Sequence, residues 1–190
     1  MDLKKYIRVY DNCCNLHQVG NFLKYINNKV SFQDATIVGD GKNPKVAKQV
    51  RNTKIWDPSD DKLSDIHWLN FYTSIIKNYL NMYHQDLNVN TSTTGINRLS
   101  VLKYEEGGFY ETHTDYHLTQ PRNLSVIFFL NDDYEGGILL FKKPNNYKKN
   151  ILEVKPKAAR MIVWPSNFLY PHQVKTVLKG TRFTIVAWAS

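Results

Sequence analysis

Two histidines, an aspartate and an arginine are the residues of this chain whose types and spacing could do chemistry. His113 and Asp115 lie in the segment Tyr110-Glu111-Thr112-His113-Thr114-Asp115. On a strand, side chains at i and i+2 share a face, so this spacing delivers an imidazole and a carboxylate to one spot, whereas a helix would splay them. A lone His-x-Asp arises easily by accident in a chain with six histidines, so it needs a third partner. His172, in Tyr170-Pro171-His172-Gln173-Val174, is the candidate. Two imidazoles and one carboxylate on one face of a small barrel make a facial triad, a donor set that leaves positions open on Fe(II). These donors bind metal only when deprotonated, so affinity should fall as pH drops through the histidine range. Arg182 follows in Lys179-Gly180-Thr181-Arg182. A turn at Gly180 would return its strand beside the one carrying His172 and aim a planar, permanently charged fork into the same cavity. Such a fork grips a carboxylate with two parallel hydrogen bonds. A dicarboxylate that chelates the metal at one end and meets Arg182 at the other suits this layout.

The elements that must hold these residues are short strands. Residues 97–104, 109–115, 122–130, 137–141, 158–164 and 182–189 are runs rich in Val, Ile, Phe, Tyr and Trp, separated by Gly107-Gly108, Asn131-Asp132-Asp133, Gly136-Gly137, Pro144-Asn145-Asn146 and Gly180. Short strands at this spacing, with no helical period between them, predict an antiparallel sandwich or barrel. The front half differs. Val19, Phe22, Leu23 and Ile26 predict an amphipathic helix over 15–28, and Ile66, Leu69, Thr73, Ile76, Leu80 and Tyr83 a long one from Leu63 to His84, one face of which should pack on a sheet. Residues 29–62 read as loop with short strands around Ala35 to Val38 and Gln49 to Trp56. Within them Lys42, Lys45, Lys48, Arg51 and Lys54 recur every third residue. That series is either a solvated basic loop or a loop facing substrate, and it shares one side only if the segment is helical.

The 190 residues suit a single domain, with residues 1–90 as helical support and substrate loops and 91–190 as the core that carries the site. Ordinary apolar and charged fractions, 42% and 22%, set aside disorder and coiled coil. The charge of +8 would favour nucleic acid or an acidic partner. Cys13 and Cys14 are adjacent, which suits neither a disulfide framework nor a spaced metal pair and points to reduced thiols. The amino terminus has no apolar core of a signal peptide, and no stretch approaches a membrane span, so a soluble cytoplasmic protein with no membrane partner is the expectation.

Taken in order, Tyr104-Glu105-Glu106-Gly107-Gly108, the His113-x-Asp115 pair, Leu130-Asn131 with Gly136-Gly137, Pro171-His172, and Arg182 six residues before Trp188 resemble the Fe(II)- and 2-oxoglutarate-dependent dioxygenases of the prolyl 4-hydroxylase-like group. The resemblance covers about Asn97 to Ser190. It implies an α+β protein with a double-stranded β-helix (jelly roll, cupin-like) core and N-terminal supporting helices. It also implies iron on His113, Asp115 and His172, with 2-oxoglutarate and O₂ as cosubstrates and ascorbate as a further candidate. Arg182 matches the position that pairs with the distal carboxylate of 2-oxoglutarate, and Tyr104 the phenol that hydrogen-bonds the cosubstrate. Thr184, on the same strand face as Arg182, is assigned beside it from spacing. Phe129 stands where some relatives carry a further cosubstrate-binding tyrosine. Trp188 and Tyr110 are candidate walls of the substrate cavity, and Arg122 matches a position that contacts peptide in some relatives.

The reaction that follows is hydroxylation of a C–H bond, first of all in a prolyl residue of a protein or peptide, with succinate and CO₂ as coproducts. A demethylase of alkylated nucleic-acid bases is the competing enzyme, but that group carries a second arginine where this chain has Trp188. A free amino-acid hydroxylase and a non-catalytic barrel are further alternatives, and the last predicts a missing ligand or arginine. Simpler roles stand beside each assignment: Tyr104 and Trp188 as core aromatics, Arg122 as a surface arginine, and His117 as a turn residue that proximity alone makes a ligand candidate. His17, His67 and His84 receive no role. Whether the chain dimerises is left open.

Overall fold

A computed structural model describes residues 2–39, 43–89, 93, 95–117 and 120–190. After a 3₁₀ turn at Leu3–Tyr6 come β1 (Arg8–Tyr10), α1 (Leu16–Lys29), β2 (Gln33–Asp34), β3 (Ile37–Gly39), β4 (Asn43–Lys45), β5 (Arg51–Asn52), β6 (Lys54–Trp56) and α2 (Leu63–Leu87). The second half is all strand: β7 (Ile96–Tyr104), β8 (Phe109–His113), β9 (Leu124–Phe129), β10 (Glu135–Gly136), β11 (Leu139–Lys143), β12 (Asn146–Val154), β13 (Met161–Pro165), β14 (His172–Val174), β15 (Val177–Lys179) and β16 (Arg182–Ala189). No helix among the described residues is long and apolar enough to cross a membrane.

Both helices form where periodicity places them. Asn15 starts α1 by accepting from His17 N at 2.8 Å, and Val19, Phe22 and Ile26 bury one face. Tyr72, Ile76, Leu80 and Tyr83 do the same for α2, which stops where Asn88 turns left-handed.

Two antiparallel sheets face each other. The larger runs β1-β13-β9-β16-β7-β6-β2 and the smaller β12-β11-β14-β8-β5. Alternation along the larger sheet serves two layers. Val101, Val126, Phe128, Val163 and Ile185 pack on Phe22, Ile26, Tyr72, Ile76 and Leu80 of the helices. Their neighbours Leu102, Ile127, Phe129, Ile162 and Val186 pack instead with Leu139, Phe141 and Val174 of the smaller sheet. This is the double-stranded β-helix, with helices over one face and the site between the sheets.

The structure departs from the sequence expectation in four places. The strand carrying Arg182 does not lie beside the one carrying His172. β16 is flanked by β7 and β9, and β14 by β11 and β8, because β15 pairs with β10 and carries the chain from one sheet to the other before Gly180 turns at φ +81°. His172 and Arg182 therefore lie in different sheets. β8 ends at His113, so Asp115 lies just past the strand. β12 escapes an alternating pattern because it is a mostly exposed edge with Lys148 and Lys149, the composition that blunts an open edge. Residues before 91 are more than helical support: β1, β6 and β2 extend the larger sheet and β5 the smaller. The basic series, whose reading the sequence left open between solvated and substrate-facing, divides between the two. Lys48 pairs with Asp34 at 3.1 Å and Lys54 with Glu105 at 2.9 Å, while Arg51 turns toward the site; Lys42 lies outside the described residues.

Phe22 meets the rings of Trp68 and Tyr72 at 4.9 and 4.8 Å. Phe22→Ala should cost about 3–5 kcal/mol through the cavity it leaves, read as a lowered urea midpoint. Leu63→Ala, at a position 86% exposed, should change stability by less than about 0.5 kcal/mol.

Candidate functional site

His113 and His172 sit directly opposite each other on β8 and β14, with ring centroids 4.3 Å apart. Each Nδ1–H donates to a carbonyl two residues back, His113 to Glu111 at 2.8 Å and His172 to Tyr170 at 3.0 Å. A carbonyl can only accept, so the proton is assigned to Nδ1 and each Nε2 keeps a lone pair. Those two Nε2 atoms face Asp115, at 3.8 Å from Oδ1 and 3.7 Å from Oδ2 respectively. The three donor atoms lie within 4.8 Å of one another, a group that could hold a metal ion.

The carboxylate is fixed from behind. Ser125 donates to Asp115 Oδ2 at 2.7 Å and meets Ser166 Oγ at 2.7 Å, while Arg122 donates to the Asp115 backbone carbonyl at 3.3 Å. Burial, reinforced by the His172 imidazole beside it, pushes His113 well below the usual histidine range. Burial alone would raise Asp115, but the His172 and His113 imidazoles, the Ser125 hydroxyl and Arg122 outweigh it and hold the carboxyl low. Both shifts favour the forms of His113 and Asp115 that bind a metal.

Arg182 is fully buried. Its Nη1 donates to Thr184 Oγ1 at 3.2 Å, and its guanidinium lies 4.8 Å from the Tyr104 ring and 5.1 Å from that of Phe129. Nε and Nη2 have no hydrogen-bond partner, and no carboxylate among the described residues pairs with it. A buried cation left in this state is costly unless an acidic group completes it. The donor set therefore fits the carboxylate of a bound acid, as the metal-ligand set fits a divalent ion.

A cavity of about 360 Å³ opens over the triad, and Tyr104, Tyr110, Trp188 and Arg122 line it. Arg182 and Thr184 are not among its lining residues; Tyr104 forms the wall on their side. Tyr110 stacks on His113 at 3.6 Å, and burial pushes its phenol up to about 12. Arg122 covers the Trp188 ring at 4.0 Å. His117 also lines the cavity, but its Nδ1 accepts from Gln120 N at 3.2 Å and it is not in the metal-ligand group. His17, His67 and His84 sit on the helices, away from the cavity.

Sequence spacing missed Ser125 and Ser166, and singled out Arg51 only as a member of the basic series. A serine inside the apolar run Leu124–Phe129 was the available signal for the first. Arg51 lies opposite Tyr110 in β5 and covers its ring at 4.6 Å, a contact between residues far apart in the chain.

Comparison with known proteins places this geometry. Over 94 residues the chain is 40% identical to a PKHD-type hydroxylase of Thermosynechococcus vestitus, covering 45% of this chain and 39% of that protein. Over 67 residues it is 39% identical to prolyl 3-hydroxylase 2 of Homo sapiens, covering 35% of this chain and 9% of that protein. The matched segments thus span well under two thirds of these relatives. A Trichoplax adhaerens prolyl hydroxylase, solved with a peptide fragment of hypoxia inducible factor, shares the fold with a TM-score of 0.75 at 19% identity, over 97% of this chain and 83% of that one. A collagen prolyl hydroxylase of Paramecium Bursaria Chlorella virus-1 does so with a TM-score of 0.65 at 15% identity, over 97% and 95%. The family model described as the 2OG-Fe(II) oxygenase superfamily matches residues 99–190. The matched residues carry the triad and Arg182, and with them Tyr104, Tyr110, Arg122 and Trp188 of the cavity wall.

Proposed function

We propose that residues 1–190 form one catalytic domain that hydroxylates a prolyl residue of a protein or peptide, using Fe(II), 2-oxoglutarate and O₂. The observation that carries this is a His-Asp-His group within 4.8 Å in the same inter-sheet space as a fully buried arginine with two unpartnered nitrogens. One half suits a divalent metal and the other a carboxylate. Prolyl substrate chemistry is supported by the names of the relatives, and a peptide substrate by the one solved with a peptide bound.

In this reading His113, Asp115 and His172 hold the metal through Nε2, a carboxylate oxygen and Nε2. Arg182, with Thr184 and Tyr104, receives the far carboxylate of the cosubstrate. Bound together, metal, cosubstrate and O₂ supply an oxidant strong enough for a C–H bond, with succinate and CO₂ as coproducts. The protein's own part is orientation. Ser125 fixes the Asp115 carboxylate by donating to Oδ2, the two backbone carbonyls fix the tautomers, and Tyr110 fixes the His113 ring plane. Trp188, Tyr110 and Arg122 wall the space where the substrate ring is held away from water.

Incubation with Fe(II), 2-oxoglutarate, ascorbate and O₂ should yield succinate, stimulated by proline-containing peptides that gain one oxygen atom by mass spectrometry. Stimulation by alkylated single-stranded DNA instead would overturn the prolyl reading, and fragmentation of the product separates attack at C3 from attack at C4. His113→Ala should abolish metal binding and turnover. Arg182→Lys should raise the 2-oxoglutarate requirement with a smaller effect on maximal rate, because charge remains while the two-pronged geometry is lost. Ser125→Ala should weaken metal binding about 10- to 100-fold, the usual effect of releasing a ligand's supporting hydrogen bond, measured by chelator competition.

A further inference from the structure

Among the described residues, seven buried side-chain nitrogen or oxygen atoms lack a hydrogen-bond partner, and three of them belong to Arg182 and Tyr134: Arg182 Nε, Arg182 Nη2 and the Tyr134 hydroxyl. Buried polar groups are nearly always satisfied, so orphans gathered on neighbouring side chains point to a missing partner. Tyr134 stands in the turn between β9 and β10, and that turn is tied to β16. Asn131 Oδ1 accepts from Phe183 N at 2.8 Å, and Asn131 Nδ2 donates to the Thr181 carbonyl at 2.7 Å, on either side of Arg182. Gly137 lets the two side chains converge: a Cβ there would lie 2.9 Å from both Arg182 Cδ and Tyr134 Cε2. The environment is that of a protonated phenol, with burial pushing it up to about 12 and the Arg182 charge pulling against it.

We infer that Tyr134 is a further cosubstrate-binding residue, its hydroxyl donating to the same far carboxylate that Arg182 grips, an inference that rests on the function proposed above. The unused groups are matched to such a ligand. Arg182 Nε and Nη2 offer N–H donors and no acceptor, and the phenol adds one O–H, so together they suit an acceptor-only group with two oxygens. Phe129 has no hydroxyl to offer although its ring lies 5.1 Å from the guanidinium. Tyr134 supplies a phenol to the same arginine from a different segment of chain.

The test is direct binding with Mn(II) in place of Fe(II), so that no turnover is needed, measured by calorimetry on the intact protein. Tyr134→Phe should weaken 2-oxoglutarate by about 10- to 100-fold, the range for a hydrogen bond to a charged group. It should leave the affinity for pyruvate, a 2-oxoacid without the far carboxylate, within twofold of the unsubstituted protein. The thermal midpoint of the ligand-free variant should change little, since the one group the hydroxyl faces in the protein is the Arg182 guanidinium, to which it makes no well-aligned hydrogen bond. Unchanged 2-oxoglutarate binding beside a weakened Arg182→Lys would overturn the role of Tyr134 and leave that of Arg182. Equal weakening toward both oxoacids would overturn it too, by revealing a general packing defect. If Arg182→Lys and Tyr134→Phe both bind 2-oxoglutarate as before, the cosubstrate reading of this pocket falls with the inference.

Discussion

Alternation along the larger sheet is the constraint on which the rest of this structure depends. Each of its central strands must face α-helices on one side and a second sheet on the other, so successive residues answer to different layers. β16 states the rule most clearly. Phe183, Ile185 and Ala187 join the helix-side core, while Arg182, Thr184, Val186 and Trp188 turn inward. A slip of one residue would turn the arginine to the helix side, where Phe183 meets Phe32, and turn phenylalanine inward. Pairing over the whole length of β16, with β7 on one side and β9 on the other, prevents that slip.

On that frame the site is assembled from both sheets. The smaller sheet supplies the two imidazoles as a cross-strand pair, and the larger supplies Ser125 behind Asp115 and the buried arginine. Asp115 itself lies past the end of β8, where the chain is free of the ladder and the carboxylate can turn toward both Nε2 atoms. The site keeps opposite charges apart, anionic Asp115 among imidazoles and cationic Arg182 among aromatic rings. Neither neutralises the other. Burying such groups costs several kcal/mol per ion, which the apolar layers on both faces of the larger sheet help to offset.

The basic character of the chain resolves into separate roles. Lys48, Lys54, Lys103, Lys157 and Arg160 pair with carboxylates at the surface, and such exposed pairs contribute little to stability. Arg51 and Arg122 lie flat on aromatic rings that border the cavity. Among the described residues, Arg182 is the basic side chain removed from water entirely. Part of the basic excess is thus engaged in surface pairs, cavity walls and one interior charge.

The sequence by itself determined the local pieces, because local pieces depend on short-range period and spacing. The helices over Phe22 and Ile76, the apolar strands through Phe128 and Ile185, and the His-x-Asp pair were all legible in this way. So was the set His113, Asp115, His172 and Arg182, through order and spacing along the chain. What only the tertiary structure decided is what depends on pairing between distant segments. It placed His172 and Arg182 in opposite sheets, put Ser125 behind Asp115, drew Arg51 onto Tyr110, and brought Tyr134 to Arg182. It also made an edge strand of Asn146–Val154, whose polar residues carry no alternating signal. These contacts close over tens of residues of intervening chain, and no periodicity in one segment specifies which other segment will lie beside it.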